Sequence, residues 1–358
     1  MKVKIIGAGS IGNHLAQASR RIGWDVSVVD KSPEALERMK DNIYLSRYGS
    51  WDREIKLYTM GKEPKGGFDI IMVGTPPDVR MRVALECLKE KPRVLQLEKP
   101  LCEPFNNELR EFIREYDRQP HTVTLIGYDH AVSPSIRRVV SLLELGVIGE
   151  VITVDVEFRE HWQGIFKAHP WLSGPEDSYL GYWSRGGGAS GEHSHALHLW
   201  QYLAQKSGAG VWEKVSAVLK IKRGRADSEY DSLAAFSLVT DRGIVGRVIQ
   251  DVVTLPTRKW ARIQGDKGFI EWHCGGSPKG DIVRYSKSGG AFAEETLEKS
   301  RPDDFYEEVL HIRDILDGTV LPEKSPLAFK SGVSVMSVLE TVWKNHGMTG
   351  LVPIWNIT

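Results

Sequence analysis

The chain is short of the features that mark specialised proteins. It has three cysteines, Cys87, Cys102 and Cys274, far apart and without a pairing pattern. That excludes a disulfide scaffold and fits a reducing, cytoplasmic compartment. Neither sign of charge is in excess, since 47 Lys and Arg face 47 Asp and Glu. The balance removes the electrostatic ground for expecting nucleic acid or an anionic membrane as partner. No apolar run approaches the roughly 20 residues of a membrane span. At the start, Gly7 interrupts the run too early for a signal-peptide core. Repeats and low-complexity tracts are also missing. What remains is a globular composition in 358 residues, enough for two domains.

Residues 3–6 read as a strand and run straight into Gly7-Ala8-Gly9-Ser10-Ile11-Gly12, which fits G-x-G-x-x-G. A helical pattern over 11–22 follows. The first glycine permits the tight turn, the second lets the backbone approach a pyrophosphate, and the third lets helix pack on strand. Amides at the helix start would hold the phosphates. A second strand over 25–29 ends at Asp30, where a carboxylate can accept a hydrogen bond from a ribose 2′-hydroxyl. Asp30 would repel a 2′-phosphate, so NAD is favoured over NADP, although Lys31 and Ser32 soften the preference.

The alternation continues with a helix over 34–40, a strand over 68–73, a helix over 79–88, a strand over 93–97, a helix over 103–116 and a strand over 121–126. This predicts an α/β protein with a Rossmann-type, doubly wound parallel sheet in a dinucleotide-binding domain over 1–127. Gly74-Thr75-Pro76-Pro77 and Glu98-Lys99-Pro100 stand at carboxyl ends of strands, where such sheets place their ligands. Thr75 and Pro76 are expected beside the nicotinamide end. A Lys-Pro bond can be cis at little cost, which would turn Lys99 into the cleft.

Residues 128–358 change character. A helix over 134–145 precedes strand candidates over 213–222, 231–240, 244–254, 258–265, 268–274 and 281–286, and helices close the chain over 303–316 and 327–345. This predicts an α+β domain with a large, mostly antiparallel sheet, helices on one side and the last helix free to pack back on the first domain. The free sheet face would suit a homodimer or homotetramer. Two stretches interrupt the pattern. Residues 158–183 are rich in aromatics, including Trp162 and Trp171, which suit the C–H faces of sugars and equally suit a core. Residues 186–191 form a glycine-rich run leading into Glu192-His193-Ser194-His195-Ala196-Leu197-His198. His195 and His198 share a helix face, with His193 on the other side. The spacing matches no zinc motif, so no metal is expected. Acid–base or substrate-binding work is expected of His195, with His198 assisting.

Taken in order, these motifs resemble the glucose–fructose oxidoreductase, inositol dehydrogenase and MocA (Gfo/Idh/MocA) family over nearly the whole chain. Gly7 to Gly12 match its dinucleotide motif and Glu98-Lys99-Pro100 its E-K-P motif. Gly127-Tyr128-Asp129-His130 resemble its G-Y-N crossover. Leu145-Gly146-Val147-Ile148-Gly149-Glu150-Val151 match its L-G-x-I-G-x-V, and the glycine run with His195 its G-G-G…H-x-x-D. The resemblance implies NAD(P)-dependent oxidation of CH–OH groups, with Lys99 on the reacting hydroxyl and the nicotinamide ribose. Expected cofactor contacts are Gly7, Gly9, Ser10, Ile11, Gly12, Asp30, Thr75, Pro76, Glu98 and Lys99. Expected substrate contacts are Lys99, Tyr128, His130, Trp162, Trp171, His193 and His195. Departures stand out: His198 replaces the usual acid, Asp129 the usual asparagine, Ala131 a usual arginine, and Arg80 a frequent histidine.

The expectation is a sugar or polyol oxidoreductase in which Lys99 or His195 takes the hydroxyl proton. A free lysine, with pKa about 10.4, is a poor base. Burial beside oxidised nicotinamide would bring it toward about 7–8. Two alternatives stay open. One is an NAD-retaining enzyme that oxidises a carbon transiently, as in glycoside cleavage. The other is a cofactor-sensing regulator, against which Lys99 and His195 weigh.

Overall fold

The computed structural model describes residues 1–167, 169–287, 290–300 and 302–357. Strand β1 (Lys2–Ile6) feeds helix α1 (Ser10–Arg21), and β2 (Asp25–Asp30) feeds α2 (Pro33–Arg38). Ser32 caps α2 by accepting a hydrogen bond from Ala35 N, with proline next in line. A π-helical turn, Met39–Ile43, carries α2 into α3 (Tyr44–Tyr48). The helix expected over 34–40 therefore runs further and changes its winding. Next come β3 (Lys56–Thr59), β4 (Ile70–Val73), α4 (Pro77–Lys89), β5 (Val94–Leu97), α5 (Glu108–Asp117) and β6 (Val123–Ile126). The helix expected from 103 starts only at Glu108, because Phe105 adopts a φ of 64° and Asn106 Oδ1 accepts from Leu109 N. β3 was not foreseen from sequence; it is short, polar at its start and half-exposed.

All six strands are parallel in the order β3-β2-β1-β4-β5-β6. The order reverses between β1 and β4, and a ligand crevice opens at that switch point. Ile70 to Val73 are completely buried, as a strand covered by helices on both faces requires.

Helix α6 (Pro134–Glu144) leads into β7 (Val151–Arg159), α7 (Trp162–Lys167), α8 (Gly188–Glu192) and α9 (His195–Lys206). Then come β8 (Trp212–Arg223), β9 (Glu229–Thr240), β10 (Val245–Asp251), β11 (Arg258–Gly265), β12 (Gly268–Ser277), β13 (Gly280–Lys287) and β14 (Ala293–Glu298), with β15 (Val352–Pro353) near the end. β7 runs through the middle of the sheet outside the expected strand ranges, and β14 and β15 extend it at its two edges. The nine strands run β14-β13-β12-β11-β7-β10-β9-β8-β15, antiparallel except for the β7–β10 pair. One register row, Phe236–Val248–Val156–Ala261–Trp272–Val283, is buried under α6 and α9. The neighbouring row, Ala235–Ile249–Glu157–Trp260–His273, faces the other way.

The last two helices return to the first sheet. In α10 (Asp303–Leu316), Phe305 stacks on His14 of α1 at 4.4 Å. Beside α11 (Phe329–Lys344), Ile126 N donates to Leu327 O at 2.8 Å, and Phe329 meets Phe112 at 5.2 Å. No helix among the described residues is long and apolar enough to cross a membrane.

Candidate active site

The glycine loop behaves as its sequence requires. Gly7 has a φ of 111°, open to glycine and costly for others. A Cβ on Gly12 would lie 1.9 Å from Gly7 O, so only glycine lets α1 approach β1 this closely. A Cβ on Gly9 would meet nothing within 4 Å, which leaves open space over the amino end of α1. At the end of β2, the two oxygens of Asp30 accept from Ala8 N at 2.8 Å and Ser32 N at 2.9 Å. These bonds fasten the carboxylate to the loop at the edge of the crevice. Across it, Thr75 Oγ1 is buried with no hydrogen-bond partner among the described residues. An open phosphate seat, a carboxylate at the ribose position and an unsatisfied hydroxyl beside the crevice fit a dinucleotide.

Arg80, on α4, fixes this side in a way sequence reading missed. Its guanidinium donates to Thr75 O at 3.1 Å, to Glu98 O at 2.6 Å and to Pro100 O. It is fully buried, and carbonyl oxygens replace the water it gives up. The turn after β4 is thereby tied to the segment after β5, where the Lys99–Pro100 bond is cis. The only sequence signal was that Arg80 departs from the family pattern.

Lys99 leads into a small cavity of about 110 Å³ whose lining includes Ser10, Lys99, Asp129, His130, Glu192 and His195. Lys99 Nζ donates to Glu192 O at 2.8 Å and lies 3.3 Å from Glu192 Oε2. Glycine-run helix α8 places Glu192 here; Asp231 Oδ2 accepts from Ser190 N at 2.7 Å and holds that helix. Beyond it, His195 Nδ1 lies 3.6 Å from Asp129 Oδ1. The imidazole is wedged edge-on to Tyr128 at 5.6 Å and parallel to Phe158 at 6.1 Å. Burial pushes its pKa well below the ordinary histidine range, and the Lys99 charge pushes it the same way. His195 is thus neutral at pH 7, as a proton acceptor must be.

The other expected residues divide. His130 and His193 line the cavity with His195. His198 does not reach it; Nε2 donates to Pro326 O at 2.8 Å and the ring stacks on Tyr128 at 4.1 Å. Tyr128 is fully buried between them, a wall rather than a contact. Trp162 packs with Phe166 at 5.4 Å in a satellite core with Leu180 and Val252. Trp171 lines a neighbouring, larger cavity. Sequence reading did not place Lys259 and Glu160 in the site, where they line the cavity as an ion pair at 3.4 Å. It also missed Gln96, whose amide donates to Glu98 at 3.2 Å and Glu308 at 3.0 Å. Burial raises the pKa of both carboxyls. Asp129 was visible as a departure from asparagine, but its partner was not. Ligand atoms of Asp129, His130 and His195 lie within 4.8 Å of one another, a spacing that could take a metal ion.

Residues 1–126 match the family model described as the oxidoreductase family, NAD-binding Rossmann fold, and residues 136–271 match the GFO/IDH/MocA C-terminal domain. The chain belongs to the Gfo/Idh/MocA family. Its first domain is accordingly an NAD-binding one. No curated protein has significant sequence similarity to it. Solved structures share its fold over their full length. A levoglucosan dehydrogenase in complex with NADH and levoglucosan has a TM-score of 0.76 at 16% identity, covering 100% of both chains. An oxidoreductase from Agrobacterium radiobacter, in complex with NAD+, L-tartaric acid and magnesium, has a TM-score of 0.76 at 17% identity, covering 99% of this chain and 98% of that one. The WlbA dehydrogenase from Bordetella pertussis, in complex with NADH and UDP-GlcNAcA, has a TM-score of 0.71 at 18% identity, covering 98% of each.

Proposed function

We propose that this oxidoreductase moves a hydride between nicotinamide and a secondary hydroxyl or keto carbon of a sugar, polyol or sugar derivative. The observation that carries the reading is the pairing, around one cavity, of Lys99 with a neutral His195 backed by Asp129. Gly7 to Gly12, Asp30, Thr75 and the segment at Glu98 hold NAD, whose nicotinamide supplies the hydride acceptor or donor. Lys99, steadied by Glu192, binds the reacting oxygen and offsets negative charge on it. His195 takes the hydroxyl proton at Nε2, because Nδ1 faces Asp129. The Asp129 carboxylate then stabilises the imidazolium. In the reverse direction His195 returns the proton to the oxygen. Asp129 thus supplies, from the crossover, the acid that stands three residues after the histidine elsewhere in the family.

The same reading puts the enzyme in the cytoplasm, where its three free thiols persist. It assembles as a homodimer or homotetramer through the outer face of the second sheet, where Val218 and Val245 are more than half exposed. Sedimentation of the purified protein tests the assembly; a monomer overturns it. The function is tested by following NADH absorbance over a panel of sugars, inositols and sugar nucleotides. One NADH per product is expected. Product formed without NADH, the cofactor staying bound, would replace the reading with transient oxidation.

A further inference from the structure

A second cavity of about 980 Å³ shares Gly164 with the reaction cavity and is lined by more basic than acidic side chains. Arg38 and Arg47 reach it from the first domain and Lys167 from α7 of the second, against a single carboxylate, Asp41. Among the described residues Arg38 and Lys167 form no ion pair. The Arg38 guanidinium lies 4.9 Å over the Trp171 ring, and its Nε–H is buried without an acceptor. Arg47 donates to Ser10 O at 2.8 Å and Ser10 Oγ at 2.7 Å, which fixes it at the head of α1, where Ser10 also lines the reaction cavity. Gly164 lines both cavities and puts no side chain between them.

We infer that the larger cavity binds an oxyanion, a phosphate ester or a carboxylate, and that the substrate is an anionic sugar derivative lying across Gly164. The inference takes the reacting end from the oxidoreductase reading above. Three arguments carry it. The reaction cavity, at about 110 Å³, takes the reacting carbons and little else, whereas about 980 Å³ falls within the range of ligand pockets. The Arg38 guanidinium presents a planar fork of donors suited to phosphate and carboxylate, and the charge of the Ser10-bound Arg47 and the Lys167 ammonium add to the positive field of the same cavity. The cavity is not the adenosine ribose pocket, because Asp30, Lys31 and Ser32 do not line it. Since its walls come from both domains, an anion bound there would draw α7 toward the first domain and close the reaction cavity.

The test uses NAD-saturated protein, so that the phosphate seat over α1 is filled. Inorganic phosphate and glucuronate are titrated separately by calorimetry, against wild type and the double variant Arg38→Ala/Lys167→Ala, with circular dichroism to check folding. Saturable binding of at least one anion is expected, weakened tenfold or more in the double variant. The single Lys167→Ala, at an exposed position, should weaken it in the same direction if the double variant misfolds. The anion that binds tighter names the class, phosphate ester or sugar acid. No saturable binding of either anion, or equal binding by the variants, overturns the inference. NADH production from neutral sugars alongside absent anion binding would refute the anion site and leave the hydride-transfer reading standing. Anion binding without NADH from any substrate would do the reverse.

Discussion

The two walls of the cleft are made of different material. On the dinucleotide side the working groups are mostly peptide amides and carbonyls: the Gly7 to Gly12 loop, Thr75 O and the carbonyls held by Arg80. On the opposite side they are ionisable side chains drawn from Asp129, Glu160, Glu192, His195 and Lys259. A backbone wall is shaped by what glycine permits, and its amides and carbonyls do not titrate. A side-chain wall can change its chemistry with one substitution, and responds to pH. Lys99 stands at the junction, with its backbone in the first wall and its ammonium in the second.

The strongest way to break this contrast is Lys99→Met. Turnover should fall about 10³-fold or more, within the range of lost proton-transfer and positioning groups, while NAD still binds. Fluorescence titration checks the binding; if NAD binding disappears as well, the walls are not separable.

Acid should act on the side-chain wall and on the histidine packed behind it. Burial pushes the pKa of His198 down to about 4, and that of His195 well below its usual range. A histidine that stays neutral in the fold but takes a proton near pH 6.5 when unfolded contributes stability that is fully present above that pH. The contribution is lost as pH falls from about 6.5 to about 4, and for His198 the loss is about 3 kcal/mol. Urea unfolding at pH 7, 5.5 and 4 measures the slope, which His198→Gln should flatten. An unchanged slope would remove His198 from the account.

A smaller effect separates the two candidate acids. Asp129→Asn should lower kcat about 10-fold to 10²-fold by leaving the imidazolium without its carboxylate. His198→Gln should leave kcat within about twofold, far below the loss expected of an acid–base group. Steady-state kinetics on both variants decide it; the opposite ranking would return the role to His198. The dinucleotide side has its own test in Asp30, whose carboxylate is fastened to the loop by Ala8 N and Ser32 N. Asp30→Ala should weaken NAD about tenfold, the loss of one hydrogen bond to a charged group, and should narrow the preference over NADP. Equal affinities of wild type and variant for NAD would take Asp30 out of the ribose site.

How much could be read in advance follows the same division. The glycine loop, Asp30 and Glu98-Lys99-Pro100 were legible because their constraints are local: a turn, a strand end, a close packing. Both sheets were legible because alternating and continuous apolar runs have a short period. The pairing of His195 with Asp129 was not, since 66 residues separate them in sequence and their proximity exists only once α9 lies across the crossover. Arg80 was noticed only as an oddity, because a side chain that binds carbonyls leaves no pattern in its partners. Tyr128, Trp162 and His198 were expected in the site and instead pack around it. Residue type alone does not tell an aromatic that meets a ligand from one that supports the wall behind it. The short edge strands β3, β14 and β15 had too few apolar positions to stand out.

The Arg80 clamp has one more consequence. By holding three carbonyls from two turns, it makes the cofactor seat and the lysine a single inherited unit. Mutations beyond Gly127 that spare Glu192 can recut the far end of the cavity while the backbone carrying Lys99 stays in place. A chain wired in this way can pass from one substrate to another over generations and never have to rediscover how to hold its nucleotide.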